Sequence, residues 1–415
     1  MPSTLTTLPA QSIEELLATP QVHSAFHFFE AHAEAITADQ IAISSIPAPP
    51  FAEKERAEYL AGRFQQLGLD EVGIDKEGNC VGLRKGSSLD PLLVVSAHLD
   101  TVFPAGTDVT VRNTHGRLFA PGIADDACGL AALIAIAQAL GAAGINTEGS
   151  ILFVGTVGEE GRGNLRGVRY LFAESAWANR ISAFISFDGP GSDRVINRGL
   201  GSRRYRVSLS GPGGHSWSDF GVANPVHALG RAIARLVSYP VRREPRTTFN
   251  VGRIEGGTSI NAIPGEAMMD VDLRSSSEHE LRQLDAFFRR AIREAADDEN
   301  GARRQGVPPL RLSIQLIGER PSGETPPEAA IVELALEAAR ALGFNAQLDQ
   351  ASTDANLPIS LGVPAITLGA GGASGNSHTL DEWYDPSDRA SGLKRGLLVV
   401  LGLVGLGRHR AAPRQ

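Results

Sequence analysis

Three short runs of apolar residues constrain the fold of this chain more than any other feature. They occupy residues 91–97, 150–157 and 182–187, and segments with helical spacing, such as 53–67 and 129–140, lie before and between them. A strand without polar alternation is typically buried on both faces of a sheet. Strands that alternate with helices are typical of a sheet covered by helices. The sequence therefore predicts an α/β fold built on a helix-covered sheet.

The pattern changes near residue 202 and changes back near residue 326. Between these points polar and apolar residues alternate in four segments, as expected for a sheet with one face in water. The strands are predicted at 203–211, 247–254, 266–274 and 310–317, and the helices at 224–237 and 277–300. We therefore predict a discontinuous domain of residues 1–200 and 321–415, with a small α+β domain, residues 201–320, inserted into it.

Length and charge exclude several classes of protein. A chain of 415 residues is too long for one ordinary core, which favours two domains. Its 39 Lys and Arg against 47 Asp and Glu give a formal charge of −8, whereas a nucleic-acid partner needs a basic face. The most apolar run, residues 396–407, would span about 18 Å as a helix, too short for a bilayer core of about 30 Å. We expect neither nucleic acid nor a membrane as a partner.

Cysteine use indicates the compartment. Cys80 and Cys128 are the only cysteines, and the N-terminal residues show no basic segment followed by an apolar one. Two thiols so far apart do not make a disulfide framework, so reduced thiols are the simpler interpretation. We therefore expect a cytoplasmic protein without a secretory signal.

Residue types that bind metal ions recur where the predicted strands end, the place where α/β sheets hold their ligands. The set is His98 with Asp100, then Asp125, the pair Glu159 and Glu160, Asp188 and His378. The successive intervals, from His98 to Asp125, from Asp125 to Glu160 and from Glu160 to Asp188, are 27, 35 and 28 residues, close to the roughly 30 residues of one βαβ unit. Singly, each position also fits a structural role, such as a strand-end His supported by an Asp, a helix N-cap at Asp125–Asp126, or a solvated turn.

Five segments together carry a family resemblance. SAHLDTV, PGIADD, GEEG, SFDG and SHTLDEW occur in this order across nearly the whole chain. They resemble the pattern of the two-zinc exopeptidases and deacylases, a family that includes glutamate carboxypeptidase, peptidase T, acetylornithine deacetylase, succinyl-diaminopimelate desuccinylase and the aminoacylases. The resemblance implies a zinc-exopeptidase-like catalytic domain with a helix-covered mixed sheet and an inserted α+β lid or dimerisation domain.

The resemblance also implies a role for each matching residue. The implied metal ligands are His98, Asp125, Glu160, Asp188 and His378. Asp125 would bridge two ions, Glu159 would be the catalytic base, and Asp100 would be the partner of His98. Two His and three carboxylates without a thiol suit two divalent ions, Zn²⁺ first, with Co²⁺ or Mn²⁺ as alternatives.

The inserted domain carries three further candidates by the same resemblance. His215, in Gly213-Gly214-His215-Ser216, matches a His that one subunit supplies to the active site of the other, where it polarises the scissile carbonyl. Asn261 matches an Asn that contacts substrate, and Arg274 matches an Arg that holds a substrate carboxylate. From the residues alone, His215 also fits an ordinary loop position and Arg274 an ion pair with Asp272 at the strand end. The resemblance implies a homodimer formed through residues 201–320.

The implied reaction is hydrolysis of an amide bond by an activated water, with Glu159 as general base. We expect an exopeptidase that acts on small peptides, of the di- or tripeptidase or carboxypeptidase type. An N-acyl-amino-acid deacylase would use the same site and is the alternative. The G-x-S-x-G and H-E-x-x-H motifs of serine hydrolases and one-metal proteases are absent from the sequence.

Overall fold

The computed structural model describes residues 11–407. The helices of this part of the chain are α1 (Ile13–Leu17), α2 (Pro20–Ala31), α3 (Ala33–Ser44), α4 (Lys54–Gln66), α5 (Ala127–Ala142), α6 (Arg166–Ala173), α7 (Pro225–Leu236), α8 (Glu278–Gly301), α9 (Ala330–Ala341), α10 (Asn356–Ser360) and α11 (Arg389–Val404). The strands are β1 (Asp70–Ile74), β2 (Cys80–Arg84), β3 (Leu92–His98), β4 (Arg112–Thr114), β5 (Arg117–Phe119), β6 (Ser150–Thr156), β7 (Ile181–Phe187), β8 (Arg194–Gly199), β9 (Gly201–Ser210), β10 (Gly214–His215), β11 (Thr247–Gly256), β12 (Ala262–Ile263), β13 (Glu266–Ser275), β14 (Arg311–Arg320), β15 (Gly323–Glu324), β16 (Gln347–Ala351), β17 (Ala365–Leu368), β18 (Ala373–Gly375) and β19 (Trp383–Asp385).

A mixed nine-stranded sheet forms the centre of the first unit. Its strands follow the order β1-β2-β6-β3-β7-β17-β8-β15, and β16 pairs with β8 beside this path. The neighbours β6, β3, β7 and β17 run parallel, whereas β2 and β8 join them antiparallel. The three apolar runs are β3, β6 and β7, and every residue of β3 and β6 is buried. The predicted helix-covered mixed sheet is confirmed.

Helices cover both faces of this sheet. Leu93 and Val95 of β3 pack in a core with α2, α3, α5 and α11, whereas Leu92 and Val94 pack in a second core with α6 and α10. Helix α5 is apolar on nearly all sides, as expected of a helix that is buried in the larger core along most of its length. The apolar C-terminal run is the buried end of α11. Within residues 11–407, no helix combines the length and the apolar character that a membrane span requires.

The second unit is an antiparallel sheet with two helices. It comprises Leu200–Gly323, and the first unit takes the residues up to Gly199 and those from Glu324 onward. Its strand order is β11-β13-β9-β14, and α7 and α8 share a core with one face of the sheet. The alternation in β9 and β13 places Val207 and Met269 in this core. The same alternation leaves Arg206 and Asp270 on the other face, where their side chains form an ion pair.

A small four-stranded sheet, β18-β19-β5-β4, was not predicted. Each of its strands has three residues, too few for a recognisable alternation of polar and apolar side chains. It pairs Trp383 with Phe119 and Tyr384 with Leu118. The pairing brings the segment SHTLDEW beside the residues that precede PGIADD, although more than 250 residues separate the two in the sequence.

The packing around two helical glycines, Gly392 of α11 and Gly141 of α5, predicts opposite effects of their replacement by alanine. A Cβ at Gly392 would lie 2.2 Å from the backbone N of Gly371, so Gly392→Ala is expected to lower stability by about 1–3 kcal/mol. Gly141 is exposed near the end of α5, and a Cβ added there would meet no atom within 4 Å, so Gly141→Ala is expected to raise stability by about 0.5–1 kcal/mol. Thermal unfolding of the two variants beside wild type measures both changes. Equal Tm values for the two variants would contradict the packing described for Gly392.

Candidate metal centre

His98 is the last residue of β3, and its ring is held in one orientation. The Nδ1 atom lies 2.9 Å from the carbonyl O of Asp100. A carbonyl oxygen can only accept, so Nδ1 carries the proton and Nε2 is left as the ligand atom. Nε2 lies 2.8 Å from Oδ1 of Asp125, and the ring is buried.

Asp125 directs one carboxylate oxygen to each of two imidazoles. Oδ1 faces His98, and Oδ2 lies 3.1 Å from Nε2 of His378. The same Nε2 of His378 lies 3.0 Å from Oε1 of Glu160. Ligand atoms of His98, Asp125 and Glu160 all lie within 4.8 Å of one another. A carboxylate between two imidazoles, one oxygen toward each, is the arrangement that a bridging ligand needs.

Asp188 and Glu159 complete the cluster of acids. Asp188 directly follows β7, and its N–H donates to the carbonyl of Leu368 (3.0 Å). Burial and then the charge of Asp125 raise the pKa of Asp188 well above its usual range, so the two carboxylates lie in one electrostatic cluster. Glu159 also contributes to that shift, and its side chain is buried.

Asp100 acts through two different groups. Its carbonyl orients His98, whereas its carboxylate oxygen is farther from that ring, 3.8 Å from Nδ1. The carboxylate instead accepts the backbone N–H groups of Glu159 (2.9 Å) and Glu160 (2.8 Å). Burial raises the pKa of Asp100 to about 6. The predicted partnership of Asp100 with His98 therefore runs through the carbonyl, and the carboxylate holds the Glu159–Glu160 turn.

Sequence reasoning missed the role of Asp126. Its carboxylate accepts three backbone N–H groups, those of Gly129 (3.2 Å), His98 (3.1 Å) and Gly189 (3.1 Å). The helix N-cap interpretation therefore applies to Asp126, which caps α5, and leaves the neighbouring Asp125 to face the imidazoles. The peptide bond between Asp125 and Asp126 is cis. The segment PGIADD contains the residue, but only the fold brings these three donors to it.

Glu382 was missed in the same way. Its side chain is 0% exposed, and its two oxygens accept backbone N–H groups from Gly122, Ala124 and Asp125. It lies in the segment SHTLDEW, four residues after His378. Its position in a matched motif was the signal available from the sequence, whereas its three donors, in the turn of residues 122–125, are brought to it only by the fold.

The donor set fits divalent cations. The carboxylates of Asp125 and Glu160 contact the imidazoles of His98 and His378, and the buried acids Asp100, Asp126 and Glu382 accept backbone N–H groups of the neighbouring turns. Hydrogen bonds to Asp125 and Glu160 raise the pKa of His378 to about 10, a sign of concentrated negative charge. Imidazole and carboxylate donors suit Zn²⁺, Co²⁺ and Mn²⁺. The thiol of Cys128 instead donates to the carbonyl of Ala124 (2.9 Å), and burial raises its pKa well above the usual range.

The second unit brings His215 and Asn261 together. Strand β10 pairs with β12, and the N–H of Ser216 donates to the carbonyl of Asn261 (2.9 Å). Nδ1 of His215 accepts the N–H of Trp217 (3.1 Å), so a neutral ring carries its proton on Nε2. His215 therefore offers an N–H donor, the group needed to polarise a carbonyl.

Arg274 lies apart from these two residues. It is near the far end of β13, where its Nε donates to Oδ2 of Asp272 (2.6 Å). The strand-end ion pair considered from the sequence is therefore present. Asp272 also accepts from Arg204 (3.4 Å), so two guanidinium groups share this carboxylate.

Comparison with known proteins gives one family. A family model described as peptidase family M20/M25/M40 matches residues 94–402. The chain is 26% identical over 332 residues to the uncharacterized protein YqjE of Bacillus subtilis (strain 168), a match that covers 77% of this chain and 85% of that protein. It is 31% identical over 242 residues to a succinyl-diaminopimelate desuccinylase of Methylibium petroleiphilum, covering 52% of this chain and 62% of that protein. The structure of aminopeptidase PepT from Bacillus cereus has a TM-score of 0.72 at 21% identity and covers 90% of this chain and 99% of that one.

The crowding of carboxylates predicts that divalent ions stabilise the fold. Ions that bind only the folded chain stabilise it by about 2.7 kcal/mol at a hundredfold excess over Kd, so chelation is expected to lower Tm by about 5–10 °C. Thermal unfolding with and without EDTA measures this shift. Asp125→Asn should unfold at nearly the same temperature in both conditions. An EDTA shift in Asp125→Asn as large as in wild type would place the stabilising ions elsewhere.

Proposed function

Because the chain belongs to peptidase family M20/M25/M40, a family of metal-dependent hydrolases, we propose that it is a two-metal exopeptidase that cleaves an amide bond of small peptides. The observation that carries the proposal is the position of Asp125, with one carboxylate oxygen toward His98 and the other toward His378. Glu160 adds a second carboxylate beside His378, and the buried Glu159 precedes it in the sequence.

The proposed ligands are His98, Asp125, Glu160, Asp188 and His378, with Asp125 shared between two ions. We propose Zn²⁺ as the natural metal, because imidazole and carboxylate donors suit it, with Co²⁺ or Mn²⁺ as alternatives. Two such ions supply Lewis-acid activation of a water molecule and of the scissile carbonyl. The chain itself supplies the base: Glu159 takes the proton of the attacking water and passes it to the leaving amine nitrogen. Asp100 fixes this base by accepting the Glu159 N–H.

Glu159→Gln is expected to keep the metal and lose turnover. The amide has nearly the same shape as the carboxylate but cannot take a proton, and general-base catalysis contributes about 10²–10⁴-fold. Metal content by mass spectrometry and kcat on a cleaved substrate measure the two properties separately. Turnover close to wild type would remove Glu159 from the mechanism, and loss of the metal would make it a ligand.

The substrate class is tested by a product screen. The segments ASTDANLP, VDLR and SHTLDEWYDP resemble those of peptidase members of the family and support a peptide substrate. The similarity to a desuccinylase supports the alternative, an N-acyl-amino-acid deacylase. Zinc-loaded protein would be offered di- and tripeptides beside N-acetyl, N-succinyl and N-formyl amino acids. Amino acids released from the peptides alone are the expected result, whereas hydrolysis of the acyl substrates alone would establish the deacylase.

We propose that the protein works as a homodimer through residues 201–320. His215 and Arg274 lie toward opposite ends of β13, and a ten-residue strand is about 30 Å long. An extended tripeptide spans only about 10 Å. If His215 and Arg274 both contact one small substrate, they come from different copies of the chain. Trp217 and Phe220 follow His215 in the sequence and are 86% and 83% exposed. Large apolar side chains left so exposed support the proposal that another copy of the chain covers this surface.

Mixing two inactive variants tests this arrangement. His215→Asn and Glu159→Gln are each expected to be inactive. A heterodimer of the two has one complete site, so random exchange should restore about a quarter of the wild-type activity. Activity after mixing and subunit exchange, with unmixed variants as controls, measures the restoration. Continued inactivity of demonstrated heterodimers, or an active His215→Asn alone, would contradict the contribution of His215 from the second copy.

We also propose a cytoplasmic location and small substrates, without nucleic acid, as partners. Cys80 and Cys128 are free and buried, which supports a reducing compartment such as the cytoplasm. The formal charge of −8 supports small substrates over nucleic acid as partners.

A further inference from the structure

Glu382 is a buried carboxylate to which the proposed mechanism gives no role. It lies between the turn that contains His378 and strand β19, and its side chain is 0% exposed. Burial of a carboxylate costs free energy unless donors surround it. Oε1 accepts the N–H groups of Ala124 (2.8 Å) and Asp125 (3.0 Å), and Oε2 accepts that of Gly122 (3.3 Å).

All three donors belong to the turn that carries Asp125. One of them is the N–H of Asp125 itself, whose two carboxylate oxygens face His98 and His378. The backbone of Glu382 strengthens the connection, because its carbonyl accepts the N–H of Ala120 (3.1 Å). Its own N–H donates to the carbonyl of Thr379 (3.2 Å), next to His378. One residue therefore joins the turn of Asp125 to the turn of His378.

The chemistry of this position requires a carboxylate. Both oxygens of Glu382 accept N–H groups, so neither can be replaced by an amide NH₂ without placing two donors against each other. A neutral amide would leave the N–H of Gly122, or the N–H groups of Ala124 and Asp125, without an acceptor, so simple space filling does not explain a glutamate here.

We infer that Glu382 is a positioning residue that holds Asp125 in its bridging orientation and couples it to His378, an inference that rests on the proposed metal site. The carboxylate fixes two consecutive peptide units, Ile123–Ala124 and Ala124–Asp125, and the carbonyl of Glu382 is itself fixed by the N–H of Ala120. Groups of this kind, which orient metal ligands without binding the ion, typically contribute about 10–100-fold to metal affinity or activity.

Glu382→Gln tests the inference, with Glu299→Gln as a matched control. Glu299 is also a buried glutamate that accepts a backbone N–H, that of Asn224 (3.0 Å), but it belongs to the second unit, whereas the candidate ligands belong to the first. Three readouts separate positioning from general stability: affinity for two Co²⁺ ions, the absorption spectrum of bound Co²⁺, and Tm.

Glu382→Gln is expected to bind Co²⁺ about 10–100-fold more weakly and to change its spectrum, whereas Glu299→Gln keeps both at wild-type values. Wild-type affinity and spectrum in Glu382→Gln would overturn the inference while leaving the proposed function intact. Failure of the wild-type chain to bind two ions would instead overturn the proposed function. Should Glu382→Gln not fold, Glu382→Asp replaces it, because it keeps the charge but is one methylene too short to reach all three donors. Unchanged Co²⁺ binding in that variant would likewise overturn the inference.

Discussion

The candidate metal centre depends on buried carboxylates that accept backbone N–H groups. These carboxylates hold the main chain beside the proposed ligands, so that the ligand side chains start from fixed positions. Asp126 accepts from His98, Gly129 and Gly189, Asp100 from Glu159 and Glu160, and Glu382 from Gly122, Ala124 and Asp125. Hydrogen bonds to an ionised acceptor are roughly twice as strong as neutral ones. Each supporting acid therefore holds two or three main-chain N–H groups beside the proposed ligands.

The same acids create the electrostatic condition that the site must meet. Burial and the charge of neighbouring carboxylates raise the pKa values of Asp126 and Asp188, and the imidazole of His378 has its pKa raised to about 10. So much negative charge in one buried place opposes folding unless cations are close. Divalent ions at the imidazoles would relieve this repulsion, so that metal binding and the stability of the first unit are coupled.

Sequence reasoning predicted the parts of the structure that periodicity determines. The buried strands β3, β6 and β7 are predicted by uninterrupted apolar runs, and strands β9 and β13 by the alternation expected of a sheet with one face in water. Because β3, β6 and β7 run parallel, the residues after them meet at one edge, which explains why strand-end positions located candidate ligands.

What the sequence could not predict depends on pairing between distant segments. Strands β5 and β19 have three residues each and show no period, so their pairing was not foreseen. Without that pairing, the sequence does not distinguish Glu382 from the other acidic residues of the chain. Asp100 illustrates a second limit: spacing placed it beside His98, but only the structure shows that its carbonyl, not its carboxylate, orients the ring. Arg274 shows a third limit, because an ion pair with Asp272 and a contact with substrate are equally compatible with the sequence, and the structure shows the ion pair.

The most direct test of the two-metal site is a crystal structure of the zinc-loaded protein with anomalous diffraction recorded at the zinc edge. Two zinc peaks about 3.5–4 Å apart are expected, bridged by the carboxylate of Asp125, one bound by His98 and the other by His378. Asp188 and Glu160 would complete the coordination. A single peak, or peaks held by other residues while Asp125 keeps its contacts to the imidazoles, would contradict the central claim.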